Sequence, residues 1–213
     1  MDGRLVLDVA LVVLAYLAGS IPFGVLVARI SGGPDPRTIG SGRTGGTNAL
    51  RALGRRWALV VVAGDVLKGA VPVLAARVLT GDALVEVACG IAAVLGATHS
   101  VFLGFRGGRG VGTGVGTMLV IQPVAVLLAT PVFILTILVT RYVSLGSLLS
   151  SATIVIVIAA WWLFANGSVP VEYPVYATLG CGLVWLAHAD NIERLLRGTE
   201  RKFDLGLLGR DQP

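Results

Sequence analysis

The sequence predicts an all-α polytopic membrane protein with about seven transmembrane helices, and three observations support this fold class. Of its 213 residues, 55% are hydrophobic and only 14% are charged, whereas soluble globular domains carry about 25% charged residues. Several apolar segments approach or exceed the roughly 20 residues that cross a bilayer. Arginine and lysine are concentrated between those segments, as in cytoplasmic loops. We expect a single integral membrane domain over residues 1–213.

Six apolar segments follow one another along the chain. They run over about Leu5–Ile30, Trp57–Leu79, Leu84–Phe105, Val111–Val139, Leu145–Phe164 and Tyr173–His188. The net charge of +5 comes from arginines clustered between these segments. Such clustering indicates topology signals or anionic ligands rather than nucleic acid.

The fourth segment, Val111–Val139, is too long for one crossing. As one helix its 29 residues would extend roughly 44 Å, well beyond a hydrocarbon core of about 30 Å. Arginine-rich stretches before it (29–56) and after it (194–210) both indicate the cytoplasm, so an even number of crossings must connect them. We therefore predict two short helices broken near Pro123, with the N-terminus outside and the C-terminus cytoplasmic.

The first polar cluster is DPRTIGSGRTGGTNALRALGRR, residues 35–56. Glycines let backbone N–H groups approach an anion, and hydroxyl groups add donors. The stretch TNALRALG resembles a helix start, where free N–H groups favour a phosphate. The alternative is a positively charged loop rich in turn residues. The candidate ligands are Ser41, Thr47, Asn48 and Arg51.

The second polar cluster is GFRGGRGVGTGVGTML, residues 104–119. Glycines four residues apart, such as Gly112 and Gly116, are typical of closely packed membrane helices. The segment contains neither a Walker A loop nor GxGxxG. Two arginines beside a helix start nevertheless favour a phosphate site. We predict that the stretch divides at about Val111, with packing glycines after it and an anion site before it, formed by Arg106, Gly107, Gly108, Arg109 and Gly110.

Smaller polar groups accompany these two clusters. His188 and Asn191 lie three residues apart and so face one side of a helix end, where histidine is a candidate general base or a structural residue. Ser147, in VSLGS, is by itself as typical of a helix cap as of a site. Asp65 and Lys68 lie inside an apolar segment, where charges are costly, and they either pair with each other for structure or support the site residues from behind.

Together these motifs resemble the bacterial acyl-phosphate:glycerol-3-phosphate acyltransferase (PlsY) family. The resemblance rests on GSIPFG, IGSGRTGGTNALRALG, GDVLKG, HSVFLGFRGGRGVGT, SLGS and HADNIERLLRGTERK, which occur in the family's order from Gly19 to Lys202. The family has seven transmembrane helices and an external N-terminus, as the charge argument also predicts. One departure is that arginines replace the lysines of its FKGGKGVAT motif, which keeps the charge and adds a planar fork of donors.

The resemblance implies a role for each matching residue. Ser41 and Arg51 would help to bind phosphate, Arg109 would bind phosphate from the opposite side, and Ser147 would join it. His188 and Asn191 would hold the glycerol moiety. Glu200 is implied to be structural.

The implied reaction transfers a fatty acyl group from acyl phosphate to the 1-hydroxyl of glycerol 3-phosphate, as the first step of phospholipid synthesis. Because acyl phosphate is already activated, direct attack by the hydroxyl is sufficient, and we expect no acyl-enzyme, metal or cofactor. The base is either His188 or the donor's own phosphate. The expected location is the cytoplasmic (inner) membrane, with the site on the cytoplasmic face and membrane lipids around the chain. A soluble enzyme that makes acyl phosphate is a candidate partner.

The alternative function is transport of phosphate or a sugar phosphate, which also needs cations within a helical bundle. Transporters often carry internal repeats and charges near the bilayer midplane. The cations here lie at segment ends, and no repeat is apparent. The acyltransferase is therefore the preferred interpretation.

Overall fold

The computed structural model describes residues 3–165, 169–204 and 206, and in this part of the chain the regular structure is helical. The α-helices are α1 Gly3–Ser20, α2 Phe23–Ser31, α3 Gly46–Thr80, α4 Ala83–Thr98, α5 Val111–Ile121, α6 Pro123–Thr140, α7 Val143–Phe164, α8 Glu172–Ala187 and α9 Ala189–Leu196. The predicted all-α class is confirmed for these residues.

Five helical segments in the described ranges are long and apolar enough to cross a membrane by length and composition. They coincide with α1, α3, α4 extended to Leu103, α6 and α7. Helix α5 is apolar but has only 11 residues, and α8 has 16. The count of about seven crossings and the orientation therefore stay predictions.

The predicted break near Pro123 is confirmed, but only one of the two resulting helices is short. Helix α5 ends at Ile121, and α6 begins at Pro123 and runs for 18 residues. Proline at the first position of a helix is favoured because its missing N–H would have no partner there. At the end of α5, Arg77 Nη1 donates to the Val120 carbonyl at 2.6 Å. This contact satisfies a backbone acceptor that lipid could not.

Three other predicted segments differ from the observed helices. The first is divided between α1 and α2 at Ile21–Pro22, as expected where proline cannot continue the backbone hydrogen-bond pattern. Helix α3 begins at Gly46, as TNALRALG indicated, and is interrupted at Gly54, whose φ of 80° favours glycine. Helix α4 ends at Thr98 rather than near Phe105.

Helix α3 packs closely against α5 through glycines. A Cβ on Gly116 would overlap the Val66 carbonyl oxygen, and one on Gly69 would overlap that of Thr113. This confirms the packing role predicted for the second half of the glycine-rich stretch. The close fit places the start of α5 directly beside α3.

Candidate active site

The principal cavity has a volume of about 680 Å³ and is lined by the first residues of several helices. Gly46 and Thr47 open α3, Val111 and Gly112 open α5, and Ser144 lies in the first turn of α7. The first N–H groups of a helix have no partner within it and carry partial positive charge. Three helix N-termini therefore make one end of the cavity favourable for anions.

The cavity brings together most of the residues that the sequence singled out. Those that line it are Ser41, Thr47, Asn48, Arg51, Lys68, Gly108, Arg109, Gly110, Ser147, His188, Asn191 and Glu200. They come from five separate parts of the chain. The charge pattern predicted only that these residues lie on the same face of the membrane, and it did not predict that they line one cavity.

Arg106 and Gly107, both predicted to bind phosphate, do not line the cavity. Arg106 is exposed. The N–H groups of Gly107 and Gly108 donate to the carbonyls of Thr98 and Ala97 at 3.0 and 2.9 Å. These are the last carbonyls of α4, which lack helical partners. The first part of the glycine loop thus caps α4, and the residues that face the cavity begin at Gly108.

Asn48 lines the cavity, but its side chain holds the preceding loop together. Its Nδ2 donates to the carbonyls of Pro36, Ile39 and Arg43 at 2.6, 3.0 and 2.8 Å. Its Oδ1 accepts from the Ser41 N–H at 3.2 Å. Since the amide is taken up by backbone groups, Asn48 shapes the loop that presents Ser41 rather than offering a free donor to a ligand.

The cavity is strongly cationic. Two carboxylates line it, Asp65 and Glu200, against seven Arg and Lys side chains: Arg43, Arg51, Arg55, Lys68, Arg109, Arg194 and Arg201. Lys68 Nζ pairs with Asp65 at 2.6 Å and donates to the Ile21 carbonyl at 3.1 Å. The Lys68–Ile21 contact ties α3 to the junction of α1 and α2.

A chain of ion pairs connects Arg109 to the C-terminal region. Asp190 Oδ2 lies 3.1 Å from Nη2 of both Arg109 and Arg194. Arg194 Nε donates to Glu200 at 2.8 Å. The other oxygen of Glu200 accepts from Asn191 Nδ2 at 2.6 Å and from Ser144 Oγ at 3.0 Å. Glu200 therefore joins α7, α9 and the tail.

His188, at the junction of α8 and α9, has only 2% of its surface exposed. Its Nδ1 lies 2.7 Å from the Val184 carbonyl oxygen. A carbonyl only accepts, so Nδ1 carries the hydrogen and Nε2 is left as an acceptor. Burial lowers the pKa of His188 to about 4, against the opposing effect of the Val184 hydrogen bond. The ring is neutral at pH 7.

Two buried polar atoms of the cavity residues have no partner among the described residues: Arg109 Nε and Asn191 Oδ1. One is a donor on a cation and the other is an acceptor. Buried polar atoms are rarely left unsatisfied. Burial lowers the pKa of Arg109, and Asp190 opposes that effect. The two atoms are suited to a ligand that carries both a phosphate and a hydroxyl group.

Sequence reasoning assigned no role to three cavity residues in the last motif and the tail that follows it. Arg194, Arg201 and Phe203 line the cavity. The Phe203 N–H donates to the Arg141 carbonyl at 2.6 Å, and its ring is buried against the start of α3. The sequence signal for Phe203 was that it is an isolated aromatic residue in a basic tail. Arg43 also lines the cavity, and its Nη1 donates to the Gly107 carbonyl oxygen at 3.4 Å.

The chain matches a family of known proteins over most of its length. The family model described as glycerol-3-phosphate acyltransferase matches residues 9–198. The glycerol-3-phosphate acyltransferase of Myxococcus xanthus is 47% identical over 195 residues, which cover 91% of this chain and 98% of that protein. That of Geotalea daltonii is 42% identical over 196 residues, or 92% and 97% of the two chains.

Two solved structures share the fold. The crystal structure of PlsY (YgiH), an integral membrane glycerol 3-phosphate acyltransferase, in its glycerol 3-phosphate form, is 38% identical and superposes with a TM-score of 0.85. It covers 95% of this chain and 99% of that one. The lysophosphatidic acid form is 37% identical, with a TM-score of 0.82 and the same coverage. The family model, the sequence identities and the shared fold show that this chain belongs to the glycerol-3-phosphate acyltransferase family.

Proposed function

We propose that the protein transfers a fatty acyl group from acyl phosphate to the 1-hydroxyl of glycerol 3-phosphate, giving lysophosphatidic acid and inorganic phosphate. The observation that carries the proposal is a single cavity that is lined both by cationic side chains and by apolar ones. Its seven Arg and Lys side chains and three helix N-termini favour phosphate groups. A donor and an acceptor that both carry phosphate would need such a surplus of cations.

The apolar part of the lining supports a lipid substrate. It comes from residues of α3 and α6, among them Leu59, Val62, Val126, Ala129 and Phe133. An acyl chain would lie between these two helices, with its phosphate beside the cationic side chains. The chain would enter from the membrane.

The proposed roles follow the positions of the residues. Arg109, Arg51 and Ser41 would bind the phosphate groups, with Ser147, Thr47, Gly108 and Gly110 beside them. Asn191 Oδ1 and His188 Nε2 are acceptors that suit the hydroxyl groups of the glycerol moiety. Asn48, Lys68 and Glu200 would act by holding this arrangement.

The reaction needs one bond formed and one broken. The 1-oxygen of glycerol 3-phosphate attacks the acyl carbon, and the bond from that carbon to the phosphate oxygen breaks. The hydroxyl proton goes to the departing phosphate or to His188 Nε2. Arginines and helix N–H groups stabilise the charge on the phosphate as it leaves. Holding both substrates close supplies much of the rate enhancement.

The proposed location is the bacterial cytoplasmic (inner) membrane, crossed about seven times, with the cavity open to the cytoplasm. The arginines of the cavity and of the adjacent loops support this orientation. A soluble enzyme that produces acyl phosphate is a candidate partner at this basic face.

The purified protein tests the reaction directly. It should release phosphate from palmitoyl phosphate only when glycerol 3-phosphate is added, and it should not use acyl-CoA. Lysophosphatidic acid should form in equal amount. Uptake of glycerol 3-phosphate into vesicles without acylation would instead support a transporter.

The acyl-chain position has its own test. Val126→Trp or Phe133→Trp should shift the preferred acyl phosphate toward shorter chains, since both are apolar residues of α6 that line the cavity. Leu127→Trp is the matched control, because Leu127 is 67% exposed on the same helix and does not line the cavity. An unchanged chain-length preference in the first two variants would contradict an acyl chain between α3 and α6.

A further inference from the structure

We infer that Asp190 is a positioning residue that holds the Arg109 guanidinium in the orientation that binds substrate phosphate. The inference rests on the proposed function and adds a residue to it. Asp190 does not line the cavity. It would therefore act through Arg109.

The contact with Asp190 constrains one nitrogen of Arg109. Nη2 lies 3.1 and 3.5 Å from the two oxygens of Asp190. Only 17% of the Arg109 side chain is exposed, and its buried Nε has no partner in the described part of the chain. Because a guanidinium is planar and rigid, fixing Nη2 also restricts where Nε points. One nitrogen is anchored, and the remaining N–H groups of the guanidinium make no hydrogen bond in the described part of the chain.

Asp190 is itself held in place. The same oxygen that contacts Arg109 lies 3.1 Å from Arg194 Nη2, and Arg194 is fixed by Glu200 at 2.8 Å. Among the side-chain hydrogen bonds of the described residues, the Arg109–Asp190 contact is the link between the loop before α5 and helix α9. Helix α9 begins beside His188 and carries Asn191. Asp190 thus sets the phosphate ligand relative to the groups proposed to hold glycerol.

The charges around Arg109 make this anchor necessary. Arg43 and Arg194 are close enough to interact electrostatically with it, and both repel it. Asp190 is the carboxylate whose attraction opposes this repulsion most strongly. Without that carboxylate, a side chain with several rotatable bonds would move away from its neighbours. An amide of the same shape would not replace the attraction.

The test compares three variants on the same helix. Asp190→Asn removes the charge and keeps the shape, and Asp190→Glu restores the charge. Glu193→Gln is the matched control, because Glu193 pairs with Arg197 at 2.8 Å, is 59% exposed and lies outside the cavity. For each protein we would measure kcat and KM for both substrates, and the binding of inorganic phosphate from the rise in melting temperature.

Asp190→Asn should reduce kcat/KM by about tenfold, chiefly through KM, since small misplacements of a binding group cost up to 100-fold. It should weaken phosphate binding by a similar factor. Asp190→Glu should recover part of both, and Glu193→Gln should behave as wild type. In an Arg109→Ala background, the effect of Asp190→Asn on phosphate binding should disappear.

Kinetic constants and phosphate binding within twofold of wild type in Asp190→Asn would overturn the inference. So would a lower melting temperature with unchanged KM, because that result indicates a structural role alone. Failure of the proposed function is a separate result. In that case the wild type itself would form no lysophosphatidic acid, while the phosphate-binding comparison would still report on Asp190.

Discussion

His188 illustrates how one contact decides the chemistry of a residue. The hydrogen bond from Nδ1 to the Val184 carbonyl selects one tautomer and leaves Nε2 as an acceptor. No carboxylate is hydrogen-bonded to the ring among the described residues, and burial keeps the ring neutral. These features favour a group that orients a hydroxyl over a strong base.

His188→Gln should therefore retain measurable acyl transfer. We expect kcat to fall by roughly 10- to 100-fold, which is at or below the low end of the roughly 100- to 10,000-fold contribution of general acid–base groups. Steady-state kinetics with palmitoyl phosphate would measure it, and circular dichroism would check the fold. Turnover at the uncatalysed background in a folded variant would instead identify His188 as an obligatory base.

The same burial predicts how stability depends on pH. The folded pKa of His188 is about 4, below its ordinary value of 6.5. Between these values the unfolded chain binds a proton that the folded chain does not, so the His188 contribution to stability is present above pH 6.5 and is lost as the pH falls toward 4. The melting temperature in detergent should drop from pH 7 to pH 5, and His188→Gln should show a smaller drop. Equal drops in both proteins would contradict the assignment.

At the scale of elements, the start of α5 depends on close packing against α3. Gly112 and Gly116 both face α3, and a Cβ on Gly112 would lie 2.9 Å from that of Asp65. Any displacement of α5 would carry Arg109 and Gly110 with it. Glycine spacing thus matters to the site as well as to the fold.

Gly116→Ala should destabilise the protein, because the added methyl group would overlap the Val66 carbonyl oxygen. Overpacking of this kind costs about 1–3 kcal/mol. Gly114→Ala is the control two residues away, where a Cβ meets nothing within 4 Å. Thermal unfolding in detergent should separate the two variants, and equal melting temperatures would contradict the α3–α5 contact.

The tail is attached to the helices through Glu200. This side chain is 7% exposed, and it bonds Arg194, Asn191 and Ser144. Glu200→Gln should lower the free energy of unfolding by about 1.5–3 kcal/mol, since it removes the charge of a largely buried group that accepts from Arg194, Asn191 and Ser144. Glu193→Gln, at an exposed pair, should change it by less than about 1 kcal/mol. A denaturant titration that found the two variants equally stable would remove Glu200 from this role.

At the scale of the whole molecule, the described helices bring the cationic cavity residues together beside the starts of α3, α5 and α7, and the outer surface of the bundle is largely apolar. Leu127, Val139 and Phe164 are among the large exposed hydrophobic residues. A surface of this composition is stable in lipid rather than in water. We therefore expect the cavity to be reached both from an aqueous phase and from the membrane.

The orientation can be tested with single cysteines in a chain whose Cys89 and Cys181 are replaced by alanine. Arg197→Cys should react with a membrane-impermeant maleimide only after the cells are opened, because the basic tail is predicted to be cytoplasmic. Val171→Cys, at the start of α8, should react in intact cells. Both sites are exposed. The reverse labelling pattern would invert the proposed topology.

Much of the fold was predictable because the bilayer imposes strict rules on length and polarity. The apolar segments, the break near Pro123 and the packing role of Gly116 follow from those rules. The division of the first segment at Pro22 and the end of α4 at Thr98 were not predicted. Both boundaries depend on which backbone carbonyls accept a hydrogen bond from another segment. At the end of α4, for example, the donors are the N–H groups of Gly107 and Gly108.

By itself, the sequence determined the class of the protein, its family and many of the polar residues of the cavity, because those depend on composition and on motifs of fixed spacing. The tertiary structure alone decided what each residue contacts. In the structure, Arg106 does not line the cavity, the Asn48 amide bonds the preceding loop, and Asp190 pairs with Arg109. The physical reason is that a long-range ion pair or a capped carbonyl depends on the meeting of distant segments, which spacing along the chain does not encode.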